Sequence, residues 1–417
     1  MSSRDKFDFL GNSLSKSMLF TALISGLFFR GRRNRTKVLQ LLSKFFEVET
    51  SRIFLFSAAR MAVYALIKSL NLREDDEVIV AGYTCVVLTN AVKFTGQPIR
   101  YVDIQETDCN LDPNALRSAL TDKTKVLIAP HNFGIADEHL ASIREEYPNL
   151  IIIEDVAHGF GSRDNGKRLC GKIGDASFFS LEYSKPITAG LGGILIINNQ
   201  ELLPEFQKDF DKIEYDGIGN ALRKLLTLSA IVFSRSRWTS FFRINLMRFV
   251  RISGIGYATS VKEIEGEMPN SYPTKLHPLL CNLLVPQLTR IEDINRIKNQ
   301  IVIEYRKFLS GFSSLLPIEV DDAVMIRYPL LFKDQVSNEQ ITALRNEALG
   351  KGFSFGDWFN DVVHPKGSYR YMYQEGSCPV GEKVADRMLN LPVNAFFRVS
   401  ERDLKALVAL MKKHGLN

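Results

Sequence analysis

Four short apolar runs interleaved with stretches of helical spacing constrain this chain more than any other feature. They are DEVIVAGYTC, QPIRYVDI, TKVLIAPHNFG and NLIIIEDV, and PNALRSAL and DEHLASIREEY separate the later ones. Strands alternating with helices indicate an α/β fold, a mostly parallel sheet with helices on both faces. Sheets of this kind take ligands at the carboxyl ends of their strands. Tyr83, His131 and Asp155 all fall at or just past such ends; His131 also reads as a hydrogen-bonded structural histidine.

Within this pattern the stretch from Ile151 to Gly193 carries chemistry. Asp155 ends the strand IIIED, and Lys185 sits in a polar turn before a glycine cluster. An aldehyde cofactor such as pyridoxal phosphate needs both groups. The lysine forms a Schiff base, and the carboxylate keeps the pyridine nitrogen protonated so that the ring draws in electrons. His158 follows Asp155 by three residues, close enough to help orient such a ring. Ser180 precedes Lys185 by five, and Gly190, Gly192 and Gly193 lead into the buried-looking run GILIIN.

The words EDVAH (Glu154 to His158), GDASFFSLEYSK (Gly174 to Lys185) and the following GLGG, in this order and spacing, resemble the DegT/DnrJ/StrS family of sugar aminotransferases that depend on pyridoxal phosphate. The likeness covers roughly residues 50–200 and 268–415. It implies fold type I, with a mostly parallel central sheet and a smaller C-terminal α+β domain. It also implies pyridoxal 5'-phosphate as cofactor and a homodimer with shared active sites. The implied reaction moves an amino group from glutamate or glutamine to a keto-sugar, by default nucleotide-linked. Lys185 and Asp155 are the catalytic pair; Ser180 and the helix start Ala58–Ala59–Arg60 hold the cofactor phosphate.

Small side chains at a helix start let backbone N–H groups close on a phosphate, aided by the helix dipole. Ala58 and Ala59 stand where the family tends to have Ser-Gly, and Leu191 where it has Glu. The family's ring-stacking residue falls at Cys85; Tyr83, two residues back, is the alternative if the strand continues. Asn270 is the nearest match to an asparagine that reaches the partner subunit's cofactor phosphate, with Ser271 as a substitute and Lys275 as added charge. The segments DWFNDVVHP and YRYMYQEG, with His364, fall near where family substrates lie.

The 417 residues, 45% of them hydrophobic, can bury one large and one smaller domain. The expected division is an N-terminal helical segment over 1–48, a large cofactor-binding domain over 49–266, and an inter-subunit segment, long helix and small domain over 267–417. A net charge of +6 without nucleic-acid or zinc-finger spacing argues against nucleic acid and gives no metal site. Five scattered cysteines without C-x-x-C fit reduced thiols in the cytoplasm.

Two segments depart from an ordinary soluble enzyme. SMLFTALISGLFF runs directly into RGRRNRTK, and residues 200–266 hold an insertion with Arg223, Lys224, Arg235, Arg237, Arg243, Arg248 and Arg251 among Leu, Ile, Phe and Trp238. Both read as helices packed on the protein. Both also suit contact of 18–37 and 220–255 with an anionic membrane surface, which would place the enzyme peripherally on the inner face. Two rivals to the aminotransferase reading are another enzyme of the same cofactor, lyase or dehydratase in type, and a membrane-associated homologue without catalysis.

Overall fold

The computed structural model describes residues 7, 9–10, 13–27, 31–233, 259–317, 323–396 and 398–417. The basic insertion beyond Phe233, with Arg235, Arg237, Trp238, Arg243, Arg248 and Arg251, lies outside the described residues.

The apolar runs become strands β1 (Ile53–Phe56), β2 (Glu77–Ala81), β3 (Thr84–Cys85), β4 (Ile99–Val102), β5 (Thr124–Pro130), β6 (Ile151–Asp155), β7 (Ala176–Ser180) and β8 (Gly193–Ile197). Seven of them form one sheet in the order β1-β8-β7-β6-β5-β2-β4. Pairs from β4 through β2, β5 and β6 to β7 are parallel, and β8 is antiparallel to both β7 and β1. The strands are rich in Ile and Val because both faces are covered, so there is no polar alternation to keep.

Side-chain alternation divides the core by face. Phe54, Phe56, Val78, Val80, Val126, Ile128 and Ile153 pack on the side of α3 (Ala59–Ser69) and α4 (Val86–Lys93). On the opposite side Ile53, Leu55, Phe179 and Ile194 pack under α1 (Lys16–Leu27), α2 (Gly31–Phe46) and the helix Cys281–Leu288. Further along that side, Ile79, Leu127 and Ile152 meet the C-terminal part of the chain. There β9 (Arg327–Leu331) pairs antiparallel with β11 (Met388–Pro392), and β10 (Val363–His364) joins β3 in parallel. This last pairing brings the DWFNDVVHP segment to the ends of the large-sheet strands.

Tyr83 and Cys85 do not share a strand face. The chain breaks between β2 and β3 at Gly82, whose N–H donates to the Val102 carbonyl at 2.7 Å. Period-two spacing therefore does not carry across it. Among the described residues no helix is long and apolar enough to cross a membrane. Helix α1 does present Phe20 and Ile24 to the exterior, and the helix Ile218–Phe233 presents Ile218, Leu222, Leu226 and Phe233.

Candidate active site

A cavity of about 370 Å³ opens beyond the carboxyl ends of β5, β6 and β7. Adjacent carboxylates at the end of β6 point to opposite faces and do different work. Glu154 is fully buried and accepts from the backbone N–H groups of Gly171 (2.7 Å), Ile173 (2.7 Å) and Gly174 (2.6 Å), and it faces His131 Nε2 at 3.0 Å. It pins the loop that feeds β7. His131 Nδ1 accepts from the Asp137 N–H at 3.0 Å, so both of its ring nitrogens are engaged although the ring borders the cavity. Replacing Glu154 with alanine would strand the buried Gly171 and Gly174 N–H groups and the half-buried Ile173 N–H, and should cost about 3–5 kcal/mol of stability. A thermal melt would show this as a large fall in Tm; an unchanged Tm would remove Glu154 from this structural role.

Asp155 turns the other way, into the cavity. Its Oδ1 accepts from the Ala157 N–H at 2.9 Å. Burial raises its pKa, opposed by that hydrogen bond and by the nearby Lys185 charge. Lys185 reaches the same cavity from a turn after β7, in which its N–H donates to the Glu182 carbonyl at 3.0 Å. Burial brings its amine from the usual 10.5 down to about 8, against the pull of Glu182, Asp155 and Cys85. A buried lysine of this kind has a substantial neutral fraction near neutral pH, which is what a nucleophile or a general base requires.

His158 lines the cavity as a neutral ring. Burial and then the Lys185 charge push its pKa well down, its Nδ1 accepts from the Phe133 N–H at 3.2 Å, and it stacks on Trp358 with centroids 5.2 Å apart and planes 13° from parallel. Ser180, Ala59 and Cys85 also line the cavity. Tyr83 does not: it is buried, and its hydroxyl exchanges hydrogen bonds with the Phe359 backbone.

Helix α3 starts against this cavity at Ala58, in extended conformation (φ −155°) and without any side-chain cap. Neither Ala58 nor Ala59 takes a positive φ, so alanine serves at Ala59 where the family has glycine. The glycine requirement moves to Gly193, where a Cβ would lie 2.5 Å from the Ala59 Cα. Arg60 is not free: it forms a two-pronged pair with Glu263, with Nη2 to Oε2 at 2.8 Å, and both side chains are buried. Asn270 and Ser271 are exposed and outside the cavity. Lys275 is also outside it, with Nζ donating to the Asp211 carbonyl at 3.2 Å.

The sequence did not single out Arg327, Glu182 or Glu263; Trp358 lies in the DWFNDVVHP segment expected near the substrate. Lys185 Nζ lies 4.3 Å from the Trp358 ring centre, and Arg327 Cζ lies 3.6 Å from the same centre. The signal for Arg327 was a lone arginine inside the apolar run AVMIRYPLLF. Its closeness to Lys185 was not readable at that sequence separation.

The pattern of the DegT/DnrJ/EryC1/StrS aminotransferase family matches residues 21–228 and 243–411. The chain belongs to this family. GDP-perosamine synthase of Escherichia coli O157:H7 is 33% identical over 148 residues, 35% of this chain and 40% of the relative. PseC of Helicobacter pylori, an aminotransferase involved in pseudoaminic acid biosynthesis, superimposes with a TM-score of 0.74 at 16% identity, covering 98% of both chains. The PLP-form of Spr1654, a sugar aminotransferase of Streptococcus pneumoniae by its description, gives 0.73 at 16% identity over 98% of each chain. Membership makes this protein an aminotransferase of the sugar-modifying kind, and the family implies pyridoxal 5'-phosphate.

The residues present fit that group. The cavity is of small-ligand size. It joins a buried amine, a buried carboxylate, a serine hydroxyl and an uncapped helix N-terminus, which are the partners an aldehyde, a ring nitrogen and a phosphate would require.

Proposed function

We propose that this aminotransferase takes its amino group from glutamate or glutamine and delivers it to a nucleotide-linked keto-sugar. Pyridoxal phosphate, when bound, supplies a ring that spreads the electron pair left by a departing Cα proton. Lys185 would hold the cofactor through its aldehyde, and its amine, when free and neutral, would take the proton from the donor Cα. Asp155 would face the ring nitrogen and favour its protonated form, and His158 would help orient the ring. Ser180 and the first N–H groups of α3, at Ala59 and Arg60, bind the phosphate, with Arg60 shared with Glu263. Cys85, which borders the cavity, would cover a ring face in preference to Tyr83, which does not border it. Asn270, exposed on the single chain, completes the site of a second subunit in a homodimer.

Arg327 is the observation that carries the donor assignment. Its guanidinium is buried against the Trp358 and Phe9 rings, at 3.6 and 4.6 Å from their centres, behind the residues that line the cavity; it forms no ion pair with a described residue and leaves Nε without a hydrogen-bond partner. Burial pulls it down to about 9, against the pull of Glu182 and Asp357. A buried, unpaired cation is costly, and a substrate carboxylate would relieve it. The nucleotide carrier is supported by the relative named for a GDP-sugar.

The test supplies nitrogen-15 glutamate or glutamine with a panel of nucleotide-linked keto-sugars and follows label into product by mass spectrometry. Labelled amino-sugar nucleotide is expected. The Arg327→Met variant should raise the donor KM by roughly tenfold or more, as loss of a charge-assisted contact does, with a smaller change in kcat. Label transfer to free sugars alone, or an unmoved donor KM, would overturn the acceptor and donor assignments respectively.

A further inference from the structure

Away from the lysine cavity, α1, α2 and the helix Cys281–Leu288 enclose a second hollow of about 480 Å³. Three cations line it, Arg33 and Lys37 from α2 and Arg290 from the turn after the third helix, and no Asp or Glu does. Among the described residues none of the three is held in an ion pair. Behind them lies Asn282, 3% exposed. Its Oδ1 accepts from Asn34 Nδ2 at 2.6 Å, and its own buried Nδ2, packed near Gly26 of α1, has no hydrogen-bond partner.

Arg33, Lys37 and Arg290 are all exposed, and with no carboxylate among the lining residues they give the hollow a positive potential that favours an anion. We propose that this hollow binds a phosphate group carried on an organic molecule. A carboxylate offers two oxygens and at most one charge; three cations match the three or more oxygens and the higher charge of a phosphate. The volume exceeds that of the bare ion, and Met18, Val285 and Pro286 supply an apolar wall for the organic part. The site shares no residue with the lysine cavity and does not depend on the aminotransferase reading.

The phosphate could come from a soluble compound or from the headgroup of an anionic lipid. Phe20, 61% exposed on α1 beside the hollow, is compatible with either. The test uses the full chain loaded with pyridoxal phosphate, so that the cofactor's own phosphate site is filled. Glycerol phosphate is titrated by calorimetry, and flotation is measured with phosphatidylcholine vesicles with and without phosphatidylglycerol.

Saturable glycerol phosphate binding without flotation identifies a soluble ligand, and flotation only with phosphatidylglycerol identifies a headgroup. Either should weaken about tenfold in a combined Arg33→Gln, Arg290→Gln variant. Aminotransfer should stay unchanged, since these residues lie outside the lysine cavity. Lys37→Gln, a single change on a helix surface, serves if the double variant fails to fold. Absence of both kinds of binding, or binding indifferent to all of these changes, overturns the proposal.

Discussion

Lys185→Ala should give a folded protein with aminotransfer reduced by roughly 10³-fold or more, because one side chain both holds the cofactor and moves the proton. Borohydride followed by intact-mass analysis should leave a phosphopyridoxyl group, pyridoxal phosphate less water plus two hydrogens, on the wild-type chain and nothing on the variant. The wild type should absorb near ~410–430 nm and the variant should lose that band. The melt should change little, since the Lys185 side chain borders a cavity and the turn around it is held by backbone contacts, such as Lys185 N–H to the Glu182 carbonyl.

The pH dependence gives an independent check. With the amine at about 8 and not 10.5, the neutral fraction at pH 7 is larger by roughly 300-fold, since each pKa unit is a factor of ten. Cofactor capture by the apoprotein should therefore climb with pH and level off just above 8. A lysine in water would go on climbing beyond 10. Retained turnover in Lys185→Ala, or capture still rising at pH 10, would remove the lysine from this role.

Much of this site could be read along the chain where neighbours in sequence are neighbours in space. Asp155 and Lys185 lie on either side of one parallel strand pairing, so a strand ending in an acid and a turn holding a lysine already place both groups at one edge. The division of labour between Glu154 and Asp155 follows from period-two alternation, but which one faces the cavity depends on where α3 and the C-terminal segment pack.

What stayed hidden was set by long-range contacts. Glu263 pairs with Arg60 across 203 residues, and Trp358 and Arg327 arrive from the C-terminal part through the β3–β10 and β9–β11 pairings. The sequence left Tyr83 and Cys85 both open, because their equivalence depended on a strand that stops at Ala81 and resumes at Thr84.

Asp155→Asn is the second large effect, an expected loss of about 10²–10³ in kcat, the scale at which removing one preorganised electrostatic group acts. Asparagine is the informative substitution. It keeps an Oδ1 that can accept from the Ala157 N–H at 2.9 Å, so the turn after β6 should hold and Tm should stay near wild type. What it loses is the charge, which a buried site makes costly to keep and therefore effective when a partner proton is present. Burial raises the Asp155 pKa, while the Ala157 N–H and the Lys185 charge hold it down, so the group sits ready to share a proton with a basic nitrogen placed before it. The loss should fall on kcat more than on donor KM, because the proton on the ring nitrogen matters as the Cα proton leaves and not when the donor binds. A variant with unchanged Tm and near-normal kcat would show that the carboxylate only shapes the turn. A large fall in Tm together with kcat would assign it to the fold, as is expected of its neighbour Glu154.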